Sequence, residues 1–191
     1  MKIIGENSLA RYINWGITFI FFLFFIHLIY FLLGYTICYY NNTNNSKLMA
    51  STFSTGIKLY TGIQENTFSI KYPFIDLNFF SGVFSSRLFF EGLIGFAGFA
   101  FYFYCLKKIF GALSSENIFS LNLLKWTRLF LGFNIILGLI YTFFFGEVKL
   151  NEVTKIISHL IPFLFVFFIT LFAYAFFKKG YDLQSENELT I

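Results

Sequence analysis

The sequence predicts an all-α membrane protein: four transmembrane helices, with an extracytoplasmic loop containing a short β-hairpin between helices 1 and 2. Three observations predict it. Of the 191 residues, 57% are hydrophobic and only 13% charged, with a mean hydropathy of +0.69, whereas soluble domains carry about 25% charge. The 32 Phe and 12 Tyr exceed what one soluble core hides, while a lipid-facing surface accepts them. The apolar residues fall into four runs, 15–40, 87–106, 128–145 and 156–177, each about the 20 residues that cross a bilayer. The chain reads as one integral membrane domain.

The first run begins at Trp15 and is interrupted only by Thr18, His27 and Thr36. A signal peptide has an apolar core of about 7–15 residues and a small-residue cleavage site. This run is longer and ends in Tyr39-Tyr40-Asn41-Asn42, so it reads as a retained span. The loop 41–83 opens on Asn41–Ser46, a polar stretch expected to leave the membrane flexibly. Its two tripeptides Asn41-Asn42-Thr43 and Asn44-Asn45-Ser46 match the glycosylation pattern, which an Asn-rich loop produces readily by chance. Ile57 and Leu59 alternate with Lys58 and Tyr60, and Phe68, Ile70 and Tyr72 alternate with Ser69 and Lys71. Period two on both sides of the polar stretch 61–66 predicts a hairpin ending at Pro73. Isolated hairpins are marginal in water, so this one is expected to rest on the bilayer surface or on 74–80, which resembles an interfacial segment.

The second span carries Gly92, Gly95 and Gly98 at i, i+3 and i+6, joined by Ala100. Small residues let helix backbones approach closely, so this strip is a candidate packing face, against the alternative of a sliding or substrate surface. Lys107-Lys108 then open a cationic connector, 107–128, expected to turn at Gly111. Ser120 is placed to cap an interfacial helix carrying Leu121, Leu124 and Trp126 before Lys125 and Arg128 anchor the third span. That span holds Asn134 and Thr142; a short return, 146–155, leads to a fourth with His159 and Pro162 in its first turns. The apolar run ends at Lys178-Lys179-Gly180, and an acidic, polar tail follows.

Cations set the orientation. With the N-terminus inside, the cytoplasmic segments hold Lys2, Arg11, Lys107, Lys108, Lys125, Arg128, Lys178 and Lys179. The outer side has Lys47, Lys58, Lys71, Arg87, Lys149 and Lys155, offset by Glu65, Asp76, Glu147 and Glu152. The positive-inside rule then puts both termini in the cytoplasm and the hairpin outside. On this layout Cys38 and Cys105 lie about 30 Å apart, far beyond the ~7 Å between Cα atoms that a disulfide tolerates. Each reads as a small apolar filler.

Arg87 and Glu91, four apart, share one helical face and form the candidate intramembrane polar pair. The reading as a structural ion pair, with Arg87 snorkelling outward, stands beside a proton- or ligand-linked role. His27 and His159 fall at different depths without ligand spacing, so no metal site is expected. No metalloprotease, nucleophile-elbow, Cys-x-x-Cys, P-loop or dinucleotide motif is present. The residues predict no catalytic centre, no cofactor and no direct nucleic-acid binding.

The segments 102–110 (Tyr-Phe-Tyr-Cys-Leu-Lys-Lys-Ile-Phe), 116–120 (Glu-Asn-Ile-Phe-Ser), 124–131 and the tail 180–191 are similar in order and spacing to the centre and ending of the bacterial YoaS-like membrane proteins, a family built on a domain of unknown function. The resemblance covers about 87–191. It implies a cell-membrane protein without assigned activity, whose relatives are encoded beside a small helix-turn-helix protein. That in turn implies a cytoplasmic DNA-binding partner, for which Lys107, Lys108, Phe119, Lys125, Arg128, Glu186 and Glu188 are the candidate surface. Two function classes follow. One is a non-enzymatic regulatory membrane protein whose cytoplasmic face binds that partner. The other is a small transporter or channel, a homo-oligomer with Arg87, Glu91, Asn134 and His27 along a path.

Overall fold

The computed structural model describes the chain except Met1, Glu6, Asn7, Thr61, Gly62, Asn117, Glu147, Val148, Leu150 and residues 189–191, and except the side chains of Tyr60, Phe145 and Glu188. In order the elements are α1 (Leu9–Asn44), β1 (Phe53–Tyr60), β2 (Ile63–Lys71), β3 (Asn78–Val83), α2 (Ser86–Leu113), α3 (Leu121–Ile140), a π-helical turn (Tyr141–Phe145) and α4 (Val153–Glu188). Among the described residues, four helical segments are long and apolar enough to cross a membrane. At 1.5 Å per residue, the 36 residues of α1 and of α4 extend about 54 Å, well beyond the ~30 Å hydrocarbon layer. The chain divides into two compact units, Phe22–Ala100 and Met1–Phe21 with Phe101–Ile191.

Within Phe22–Ala100 the expected hairpin is a three-stranded antiparallel sheet in the order β1-β2-β3. Most of the stretch read as a polar turn is strand: Lys58 stands opposite Glu65 and Ile57 opposite Asn66. Opposite charges directly across a strand pair stabilise it, and the pairing of Tyr60 with Ile63 leaves only Thr61 and Gly62 between the strands. Nor is 74–80 a single segment, since its last three residues belong to β3. The chain turns after Tyr72, whose N–H donates to Leu77 O at 2.9 Å, and returns as β3.

The sheet rests on α1, not on residues 74–80. Phe53, Phe68 and Ile70 are buried with Phe31 and Cys38 of the helix, and Tyr35, Phe80 and Phe84 pack around them. Gly34 makes the approach possible, because a Cβ there would stand 2.9 Å from Ile70 Cγ2. The second half of α1 is therefore one wall of a protein core, while its other face leaves Ile29, Leu33, Tyr39 and Tyr40 exposed.

Asn41, expected in a flexible exit, is buried. Its amide donates to Leu48 O (2.9 Å) and Phe53 O (3.2 Å), and its carbonyl accepts from Ser46 Oγ (2.6 Å) and Leu48 N–H (3.0 Å). Asn45 takes a left-handed φ of 50°, and Ser46 N–H donates to Asn41 O at 3.1 Å. That is the hydrogen bond by which a left-handed residue closes a helix end.

In the other unit, α2 continues through Lys107, Lys108 and Gly111 to Leu113, past the turn expected at Gly111. Leu113 O accepts from Gly5 N–H at 2.9 Å, satisfying one of the carbonyls a helix end leaves open. Ser120 does cap a helix: its Oγ accepts from Leu123 N–H at 3.4 Å. That helix is α3 itself rather than a separate interfacial helix, since no Gly or Pro interrupts 121–131. Leu123 and Phe130 bury against Cys105, Ile109 and Ala112 of α2. Both cysteines are free and buried, each filling a different core. The tail is also helical, because α4 runs through Gly180 to Glu188.

Candidate functional site

Ser85 starts α2 by accepting Leu88 N–H on its Oγ at 3.1 Å, which sets the register of the polar pair. Arg87 Nε donates to Glu91 Oε1 at 2.8 Å, with the side chains 51% and 24% exposed. On a helix surface in water an i,i+4 pair contributes roughly 0.2–0.5 kcal/mol. The other polar residues of the expected path are held locally. His27 bonds Leu23 O through Nδ1 (2.6 Å) and Tyr72 OH through Nε2 (2.9 Å). Asn134, buried, donates to Phe130 O of its own helix at 2.8 Å.

The glycine strip divides. A Cβ on Gly92 would lie 2.5 Å from Phe31 Cζ, so here the helices meet closely, whereas a Cβ on Gly95 would meet nothing within 4 Å. Ala100 is buried and Gly98 half-buried. The strip turns by about 60° with each i+3 step, so it does not stay on one contact.

The cations of the second unit sit over aromatic rings. Arg11 lies 5.8 Å from the Trp15 ring and Lys107 5.5 Å from Phe21. Lys108 is shared between Tyr104 (5.4 Å) and Trp126 (5.8 Å), and Lys125 lies 5.9 Å from Trp126. Cation and ring together make an amphipathic tip of the sort that settles at a membrane–water boundary.

Phe119 parts from these residues. Its Cε1 stands 2.3 Å from where a Cβ on Gly180 would be, and its ring lies 6.2 Å from that of Phe176. The connector is thereby seated on α4, and the two border a groove of about 740 Å³ lined also by Lys179, Leu183, Gln184 and Asn187. Glu186 is exposed nearby in sequence, and the side chain of Glu188 lies outside the described residues. Lys125 and Arg128 belong instead to a second groove, of about 790 Å³, along α3. Of the candidate surface, Phe119 thus lines the first groove, and Lys125 and Arg128 line the second.

Sequence reasoning missed Gly180 as a seat for Phe119, and the spacing gave no signal for it because the two lie 61 positions apart. Gly180 read as a helix stop. It missed the second groove because Lys125 and Arg128 read as span anchors and as part of the partner surface, not as one end of a trench along α3. Among the described residues, no three His, Cys, Asp or Glu side chains gather into a ligand set. The chain matches no protein-family model, no curated protein sequence and no solved structure.

Proposed function

We propose that this chain is a non-enzymatic, multi-pass protein of a bacterial cell membrane, with both termini cytoplasmic and the sheet outside. In this reading its cytoplasmic end docks a small soluble partner of the DNA-binding kind implied by the YoaS-like resemblance. The excess of cations at this end supports the orientation, and the cation–aromatic pairs support a membrane boundary there. The observation that carries the docking role is the seating of Phe119 on Gly180. It joins connector and helical extension into one preformed edge, with Leu183 53% exposed beside it. A preformed apolar edge with a polar rim spends little ordering entropy on binding.

The test is gentle-detergent capture from the native membrane by tagged wild type and by Leu183→Glu, whose exposed position leaves the fold intact. Wild type recovers a small DNA-binding protein and L183E loses it at unchanged thermal stability. Equal recovery by both, or none by wild type, sinks the reading.

A further inference from the structure

We infer that the groove along α3 is a binding site for one anionic phospholipid, its phosphate held by Lys125 and Arg128 and an acyl chain lying over Gly132. Lys125, Arg128, Leu129, Gly132 and Ile136 recur at helical spacing along one face of α3, and all border the same groove of about 790 Å³. The floor is open: a Cβ on Gly132 would meet nothing within 4 Å. Leu129 and Ile136 are exposed along it, so it is an unfilled apolar trench rather than a packed contact.

The trench is polarised. Both of its cations lie within one helical turn toward one end, with only Leu121 and Leu124 beyond them, and Leu129, Gly132, Phe133 and Ile136 line the other end. Among the described residues no carboxylate pairs with either cation, although both are exposed. The eleven steps from Lys125 to Ile136 span about 16 Å of helix, close to the depth of one leaflet, half of ~30 Å. A phosphate at the basic end therefore places its acyl chain along the apolar end. Charge selects the headgroup: two cations attract a net-negative lipid, whereas a zwitterionic headgroup brings a third cation to the same place. The site uses neither Phe119 nor α4 beyond Gly180, so it stands apart from the proposed docking edge.

The experiment is native mass spectrometry of the full chain released from vesicles of equal phosphatidylglycerol and phosphatidylcholine, counting lipids retained per protein. Wild type keeps one phosphatidylglycerol in preference to phosphatidylcholine. Lys125→Gln with Arg128→Gln lowers that retention about tenfold or more, while Lys178→Gln with Lys179→Gln, on α4, does not. Gly132→Leu, which leaves both cations in place and fills the trench, lowers it too. Should the double glutamine variant fail to fold, Gly132→Leu carries the test. Equal retention of the two lipids by wild type overturns the inference, as does retention unchanged in G132L. Retention lost equally in the 178/179 variant also overturns it, because that result reduces the effect to diffuse charge.

Discussion

The ring of Phe119 occupies the space that a side chain at position 180 would need, its Cε1 lying 2.3 Å from the Cβ position of Gly180. Glycine inside a helix normally costs about 1 kcal/mol relative to alanine. At this position the missing Cβ offsets that cost by admitting an aromatic ring from the connector. Gly180→Ala is thus expected to lose thermal stability where an exposed helical glycine would gain it. Combining it with Phe119→Ala restores the ordinary gain, a non-additivity that a double-mutant cycle reads directly.

The same logic separates the glycines of α2. Gly92→Ala forces Phe31 aside, since its Cζ lies 2.5 Å from the new Cβ, but Gly95→Ala meets open space. The first substitution destabilises. The second is neutral or stabilises by up to about 1 kcal/mol. Phe31→Ala, at a side chain wholly buried among Tyr35, Phe80, Phe89 and Phe96, costs about 3–5 kcal/mol. Protease resistance of the 41–83 loop with temperature measures all three.

Asn41 holds the junction between α1 and the sheet through four side-chain hydrogen bonds. Asn41→Ala leaves Leu48 N–H and two carbonyls without it, and an unsatisfied buried group costs roughly 1–3 kcal/mol. Limited proteolysis near 46–52 is expected to quicken well before the helices melt. Its burial also makes Asn41 the poorer glycan acceptor of the two tripeptides.

Two carboxylates outside the helical spans respond to acid. Asp76 is held below the usual carboxylate range by its hydrogen bond and charge contact with Lys71, 2.5 Å away. Glu152 is lowered by its hydrogen bond to Lys155, then by Lys149 N–H. A depressed folded-state pKa contributes stability that is present above the unfolded value and lost as pH falls through the folded one. The β2–β3 turn therefore loosens only below the ordinary Asp range. Lys71→Met moves the titration of Asp76 upward, as carbonyl-labelled NMR of that residue would record.

Glu91→Gln is expected to change stability by no more than about 0.5 kcal/mol, the scale of an exposed i,i+4 pair. Ion flux into vesicles is expected to be the same for the variant and wild type. A flux that Glu91→Gln abolishes would favour the transport reading instead.

The four long helices were legible because apolar run length is a strong signal, and the Arg87–Glu91 contact because spacing alone fixes it. Helix ends were not. Gly111 and Gly180 look like stops, but both lie inside helices; at Gly180 the reason is the Phe119 ring, 2.3 Å from the Cβ position, a tertiary contact that overrides the local preference. β1 and β2 announced themselves by alternation at 57–60 and 68–72. β3 did not, because Phe79 and Phe80 are adjacent and the strand continues with Ser81 and Gly82. The wall that α1 gives to the sheet was hidden for a different reason. An apolar residue facing lipid and one facing a protein core look alike in sequence, and Phe31 and Leu33 differ only in what covers them.

The most direct test of the proposed docking edge is a photo-crosslinking residue placed at Leu183 in living cells, with Ile57 as the exposed control on the sheet. The expected result is one crosslinked product from position 183, containing a small DNA-binding protein, and no such product from position 57. Crosslinks from Leu183 to lipid alone, or to another copy of this chain alone, would contradict it.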